Sequence, residues 1–219
     1  MSSSTAVKLA SGLGAAGAIG GGIALHKSGA FETKVTLKEV VEKDKWTLLT
    51  SSNTEQINKI LTAYKKNADP KPSLLFEDFS GNEENASQRL LEECQKSSSK
   101  PFDDSNKDTL LKQIKKWCVI PKTVEQRLKD SNLKAIDTTA PTNPTTEKQE
   151  WVTQGSKHKE GASKISGVTT TGNDQELAKA LREGCKGKNA VNSYDEDFET
   201  ALNLSTLWCS TKIDNVNSN

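Results

Sequence analysis

Cys94 and the pair Trp117-Cys118 recur as Cys185 and the pair Trp208-Cys209, both at an offset of 91 residues (185 − 94 = 91; 209 − 118 = 91). The pattern reads as two diverged copies of one unit, and this restricts the folds open to the chain. The likeness extends upstream. Residues 36–41 (TLKEVV) match residues 123–128 (TVEQRL) at an offset of 87. Both begin with Thr and carry Glu39 or Gln126 three residues later, the capping-box pattern that starts a helix. Trp46 with Leu133, and Tyr64 with Trp151, keep the offset of 87. Between Trp151 and Cys185 the register slips by four residues, as a surface loop allows.

Apolar periodicity supplies the other helices. Asn53 opens a stretch with Ile57, Ile60, Leu61 and Tyr64 at i, i+3, i+4 and i+7. Asn85 opens a helix with Ala86, Leu90 and Cys94 on one face, and Asn173 opens its partner with Leu177, Leu181 and Cys185. A further pair is expected over roughly 105–117 and 195–208, ending at the Trp-Cys elements, with Pro121 closing the first copy. Acidic clusters at 83–84, 103–104 and 195–197 fall at helix starts, where they offset the helix dipole. Residues 137–149 and 154–173 are rich in Pro, Thr, Gly and Ser and read as loops. The second copy then lacks the counterpart of the Ile57-to-Tyr64 helix or forms it late. The expected fold is mainly α: an N-terminal apolar anchor or signal (1–30), two homologous small helical units with long loops (35–120 and 122–210), and a frayed polar tail (211–219).

Only 33% of the chain is hydrophobic and 5% aromatic, so each unit of roughly 90 residues has a thin core and needs help beyond burial. Each copy places one Cys inside a helix and the other at the end of the next. If those helices are antiparallel, the sulfurs approach. Four Cys allow three pairings, and Cys94–Cys118 with Cys185–Cys209 is the expected one. A disulfide closing a loop of about 25 residues would add on the order of 3 kcal/mol. The even Cys count and an export-like start favour it. The competing reading is buried free thiols packed beside Trp117 and Trp208.

Residues 9–25 (LASGLGAAGAIGGGIAL) carry no charge between Lys8 and His26-Lys27. One reading is a single membrane span, short against the usual ~20 residues and rich in Gly. A second is a cleaved signal with Ser28-Gly29-Ala30 as a small-x-small site. An interior Gly/Ala-rich loop is the third. The first two place residues from about 31 onward outside the cytoplasm.

Charged residues make up 27% of the chain but nearly cancel, to +1, which leaves no electrostatic footprint for nucleic acid. The two His, His26 and His158, lie in no motif, and His158, between lysines, reads as a solvated surface residue. There is no P-loop, GxSxG, HExxH, dinucleotide fingerprint or CxxC. No catalytic, cofactor or metal site is therefore expected, and no enzyme.

The Gly/Ala-rich apolar start (9–25), the Thr-capped helix (36–41), Leu90-x-x-x-Cys94 and Trp117-Cys118, with their second-copy partners, resemble the lineage-specific paralogous protein families of the haemotropic mycoplasmas. The resemblance implies a membrane-anchored or exported surface protein serving host contact or antigenic variation, and carries no catalytic residue. The expected partners are the membrane, through residues 9–25, and a host surface protein. A rigid helical frame would present polar loops near 69–84, 137–149 and 154–173. The alternative is an intracellular or inner-face helical scaffold that binds a partner protein through apolar faces such as those of Ile114 and Leu181.

Overall fold

The computed structural model describes residues 34–66, 74–143 and 145–213. The apolar anchor expected over residues 1–30 lies outside them. The described residues are mainly helical: α1 (Leu37–Lys43), α2 (Thr54–Lys66), α3 (Ala86–Ser98), α4 (Lys107–Trp117), α5 (Val124–Asp130), α6 (Gln149–Glu160), α7 (Asp174–Asn189) and α8 (Phe198–Trp208). Two short strands, β1 (Leu133–Ala135) and β2 (Ser210–Lys212), pair antiparallel. From Lys34 onward the described residues belong to one compact unit. None of their helices is long and apolar enough to cross a membrane.

The backbone bonds of the first half (α1–α4) recur in the second (α5–α8). Thr36 Oγ1 accepts from the Glu39 N–H at 3.4 Å, and the Glu39 carboxylate accepts from the Thr36 N–H at 2.6 Å. Thr123 and Gln126 repeat this box at 3.3 and 2.8 Å. After each seven-residue helix comes a residue at positive φ, Lys45 (61°) and Asn132 (58°), again 87 apart. That conformation is uncommon for residues with a Cβ, and it turns the chain sharply into an extended segment. There the Leu49 N–H donates to the Cys118 carbonyl and the Ile136 N–H to the Cys209 carbonyl, both at 2.9 Å. At the helix starts, Leu37 N–H donates to Lys100 C=O and Val124 N–H to Val191 C=O, also both at 2.9 Å. One side of every such pair is offset by 87 and the other by 91. The isolated bridge Leu48↔Val119 in the first half widens into the β1–β2 ladder of the second, where Ala135↔Ser210 holds the same place.

The expected apolar faces all point inward. Ala86, Leu90 and Cys94, and likewise Leu177, Leu181 and Cys185, are buried. Three of the four tryptophans are buried, and Trp208 is half-buried. Asn173 caps α7 as expected, accepting from the Gln175 and Glu176 N–H groups, whereas Asn85 precedes α3 without a side-chain cap bond.

Two expectations about secondary structure are overturned. Residues 154–160 are not loop but the body of α6. A Cβ on Gly155 would sit 2.9 Å from the Ala178 nitrogen, so α6 lies directly against the backbone of α7. A crossing this close needs a residue without a side chain, and the small, polar composition that permits it is also what reads as loop. The tail is not frayed at its start either. Ser210, Thr211 and Lys212 form β2, and the Ile213 N–H reaches the Asn132 carbonyl at 3.2 Å. The strand satisfies backbone groups that β1 offers, a non-local gain that side-chain polarity does not reveal.

The two halves meet at a polar seam around an aromatic residue. Asp44 pairs with Lys115 at 2.6 Å and with Arg127 at 3.2 Å. The Arg127 guanidinium lies 4.3 Å from the centre of the Trp46 ring, which also tilts against Phe198 at 6.4 Å. Asp130 closes the cluster through Lys122 (2.7 Å) and Arg127 (2.8 Å). Burial pushes the Asp44 carboxyl up, but the Lys115 hydrogen bond and the charges of Lys115 and Arg127 outweigh it and hold the group below its ordinary pKa.

Candidate functional site: loops clamped to two disulfide frames

Both expected disulfides are present, Cys94–Cys118 and Cys185–Cys209, with Cα atoms 5.3 and 5.5 Å apart. Each joins a helix to the residue after the next helix. Each therefore also fixes the tryptophan immediately before it.

Those tryptophans hold loops by the same pair of bonds. The Trp117 indole N–H donates to the Leu74 carbonyl at 2.9 Å. Two residues on, the Phe76 N–H donates to the Tyr64 hydroxyl at 2.7 Å, and that hydroxyl donates to the Phe79 carbonyl at 3.2 Å. In the second half the Trp208 indole N–H donates to the Ser163 carbonyl at 2.6 Å. Two residues on, the Ile165 N–H donates to His158 Nε2 at 3.0 Å. Tyr64 meets Trp117 edge-on at 4.8 Å, as His158 meets Trp208 at 5.2 Å. Phe76 and Ile165 then plug into the cores beneath.

His158 is thus the counterpart of Tyr64 and is almost fully buried, not a solvated surface residue. The alignment of Tyr64 with Trp151 is corrected with it. At an offset of 94, Tyr64 falls on His158 and Ile57 on Trp151, which puts each residue at the matching point of its helix. Aromatic identity pairs Tyr64 with Trp151, but helix phase decides the correspondence. The signal that could have found His158 is its place seven residues after a buried position, just before a loop, as for Tyr64.

Burial raises the Tyr64 hydroxyl to about 12, so it stays protonated and can serve as donor and acceptor together. Burial lowers the His158 pKa, and the nearby Lys164 charge lowers it further. His158 is then neutral, as an Nε2 acceptor must be. Because its folded pKa lies below the unfolded value of 6.5, the unfolded chain takes up the proton first. This contribution to stability is complete above about pH 6.5 and fades as the pH falls through that value. The melting temperature is expected to drop by a few degrees more between about pH 7.5 and pH 5 in the native chain than in His158→Gln, which keeps an acceptor but does not titrate. Equal slopes in differential scanning fluorimetry would refute this role.

The third loop, residues 136–148, is fixed differently. Arg182 on α7 makes two parallel bonds to the Glu147 carboxylate, both at 2.9 Å, and the Glu147 N–H donates to Gln175 Oε1 at 2.6 Å. The Trp151 indole N–H donates to the Asp137 carbonyl at 2.9 Å. At the surface Lys148 bonds the Asp137 carboxylate and, with Thr139, holds it well below the usual carboxylate range.

Anchored from below, the loops show polar residues outward: Glu77, Asp78, Thr139, Lys164, Ser166 and Thr169 are exposed. A cleft of about 150 Å³ opens beside the first of them, between Glu77, Asp78, Glu93, Lys96 and Lys100. It is small against the several hundred Å³ of ordinary ligand pockets. Among the described residues no group of three or more His, Cys, Asp or Glu could hold a metal ion. Ile114 and Leu181, the apolar positions a scaffold would offer to a partner, are fully buried in this fold. The arrangement is suited to displaying hydroxyls, carboxylates and ammonium groups at fixed positions. Comparison with known proteins finds no matching family model, no matching curated protein and no matching solved structure.

Proposed function

We propose that this chain is a non-enzymatic surface protein, held at the cell membrane through residues 9–25 or exported, whose clamped loops face the host. The observation that carries this reading is the pair of disulfides, which fit an oxidising, extracellular setting. They brace helices whose tryptophans pin the loops, so the loop surface is ordered without a large core. Host contact or antigenic variation would then work through the exposed residues of 74–85, 136–148 and 161–173, while the frame beneath stays constant.

Protease shaving of intact cells tests the placement. Added protease is expected to remove the mature chain from intact cells, with first cuts inside residues 136–148 or 161–173. Full retention in intact cells, with loss only after lysis, would overturn the surface reading.

A further inference from the structure

The two halves touch through surfaces that are not equivalent. The first half contributes Asp44, Lys45 and Trp46, with Lys116 feeling the charges of Asp195 and Glu196. The second half contributes Arg127, Asp130 and Phe198. Carried back by 87 or 91 residues, these three correspond to Val40, Lys43 and Lys107, none of which belongs to the first half's contact set. Such a contact is heterologous, and between like units it leaves one face of each kind uncovered.

The uncovered face on the second half can be located by the same offsets. Ser131 stands for Asp44, Asn132 for Lys45, Leu133 for Trp46 and Leu207 for Lys116. The chain leaving Cys118 reaches the seam at Lys122, and the chain leaving Cys209 reaches the same place at Ile213. Leu207 (52% exposed) and Ile213 (46%) are the exposed large apolar side chains among the described residues. They coincide with the face of the second half that, by repetition, lacks its cover among the described residues.

The central ion pair of the seam is absent from both uncovered faces together. Inside the chain Asp44 meets Arg127. On the uncovered faces both partners of that pair are replaced together, Asp44 by Ser131 and Arg127 by the half-buried Val40. Neither charge of that pair is left stranded, Leu133 keeps the apolar character of Trp46, and Lys43 and Lys107, which stand for Asp130 and Phe198, have stems long enough to keep their ammonium groups in water. We propose that the face of Leu133, Leu207 and Ile213 docks the Val40 side of a second copy of this chain, repeating the internal seam head to tail.

The test uses the full chain in detergent micelles, with mass followed by light scattering up to about 1 mM, where even weak association registers. The native chain is expected to gain mass with concentration. Leu207→Glu, which sets a carboxylate against Asp104, the counterpart of the Asp195 that faces Lys116, is expected to weaken association at least tenfold, with helical content and both disulfides unchanged. Association through residues 9–25 would be indifferent to that change. Val40→Arg blocks the other face, so a mixture of the two variants is expected to stop at dimers. Hydrogen exchange on the native chain supplies a readout that needs no variant: slowing with concentration is expected at both 38–43 and 207–213. A constant native mass, undiminished association in Leu207→Glu, or slowing at neither segment overturns the proposal.

Discussion

Replacing Arg182 with Met is expected to destabilise the fold by about 3–5 kcal/mol, the usual cost of orphaning a buried charge. The Glu147 side chain is 2% exposed and its partner's 7%, so neither charge has solvent to turn to. Arg182 satisfies both Glu147 oxygens in parallel and also reaches the Thr138 carbonyl at 3.4 Å. Truncation would leave a buried carboxylate without its counter-charge and hold the 136–148 loop to α7 less firmly, the Gln175 bond remaining. Adding Glu147→Leu to Arg182→Met is expected to recover most of the loss, because an apolar pair of similar volume removes the unpaired charge. Denaturant midpoints at constant slope measure both. A loss below about 1 kcal/mol for Arg182→Met alone would mean that the pair is not desolvated as described.

The second large effect is expected from the Cys185–Cys209 bond. Replacing both residues by Ala is expected to lower stability by about 2–5 kcal/mol. The core around these sulfurs is small, comprising Ile136, Trp151, Ile165, Ala178 and Leu181. Both sulfurs are fully buried within it. Removing the bond also releases Cys209, whose carbonyl accepts from Ile136, so β1 and β2 are expected to loosen together. Urea unfolding, with hydrogen exchange at 133–136 and 210–213, checks this. An unchanged midpoint and unchanged exchange would show that packing alone holds the second half.

Much of this architecture was legible in the residue order. Thr36 with Glu39, and Thr123 with Gln126, announce their helices because a capping box is a local bond between residues three apart. The cysteine pairing was legible because two equal spacings constrain each other. What escaped was settled at a distance. Gly155 signals a loop locally, and only the backbone of α7 turns it into a helix crossing. His158 looks solvated among its lysines, and only Trp208 and the Ile165 N–H, brought back by the following turn, make it a core acceptor. Ser210 to Lys212 looks like tail until β1 supplies the partners. In each case the deciding group comes from another element, and one helix or strand read alone does not contain it.

The two disulfides enclose only the chain between positions 94 and 118 and between 185 and 209. All three clamped loops lie outside these rings. Lengthening or shortening a loop therefore leaves the size of both covalent rings untouched. Because the cost of closing a longer surface loop grows only logarithmically, doubling one would cost about 0.6 kcal/mol. Insertions and deletions beyond the clamped carbonyls at Leu74, Asp137 and Ser163 are thus nearly neutral for the fold. The length as well as the letters of these loops can therefore change while the cross-linked helices beneath keep the same bonds.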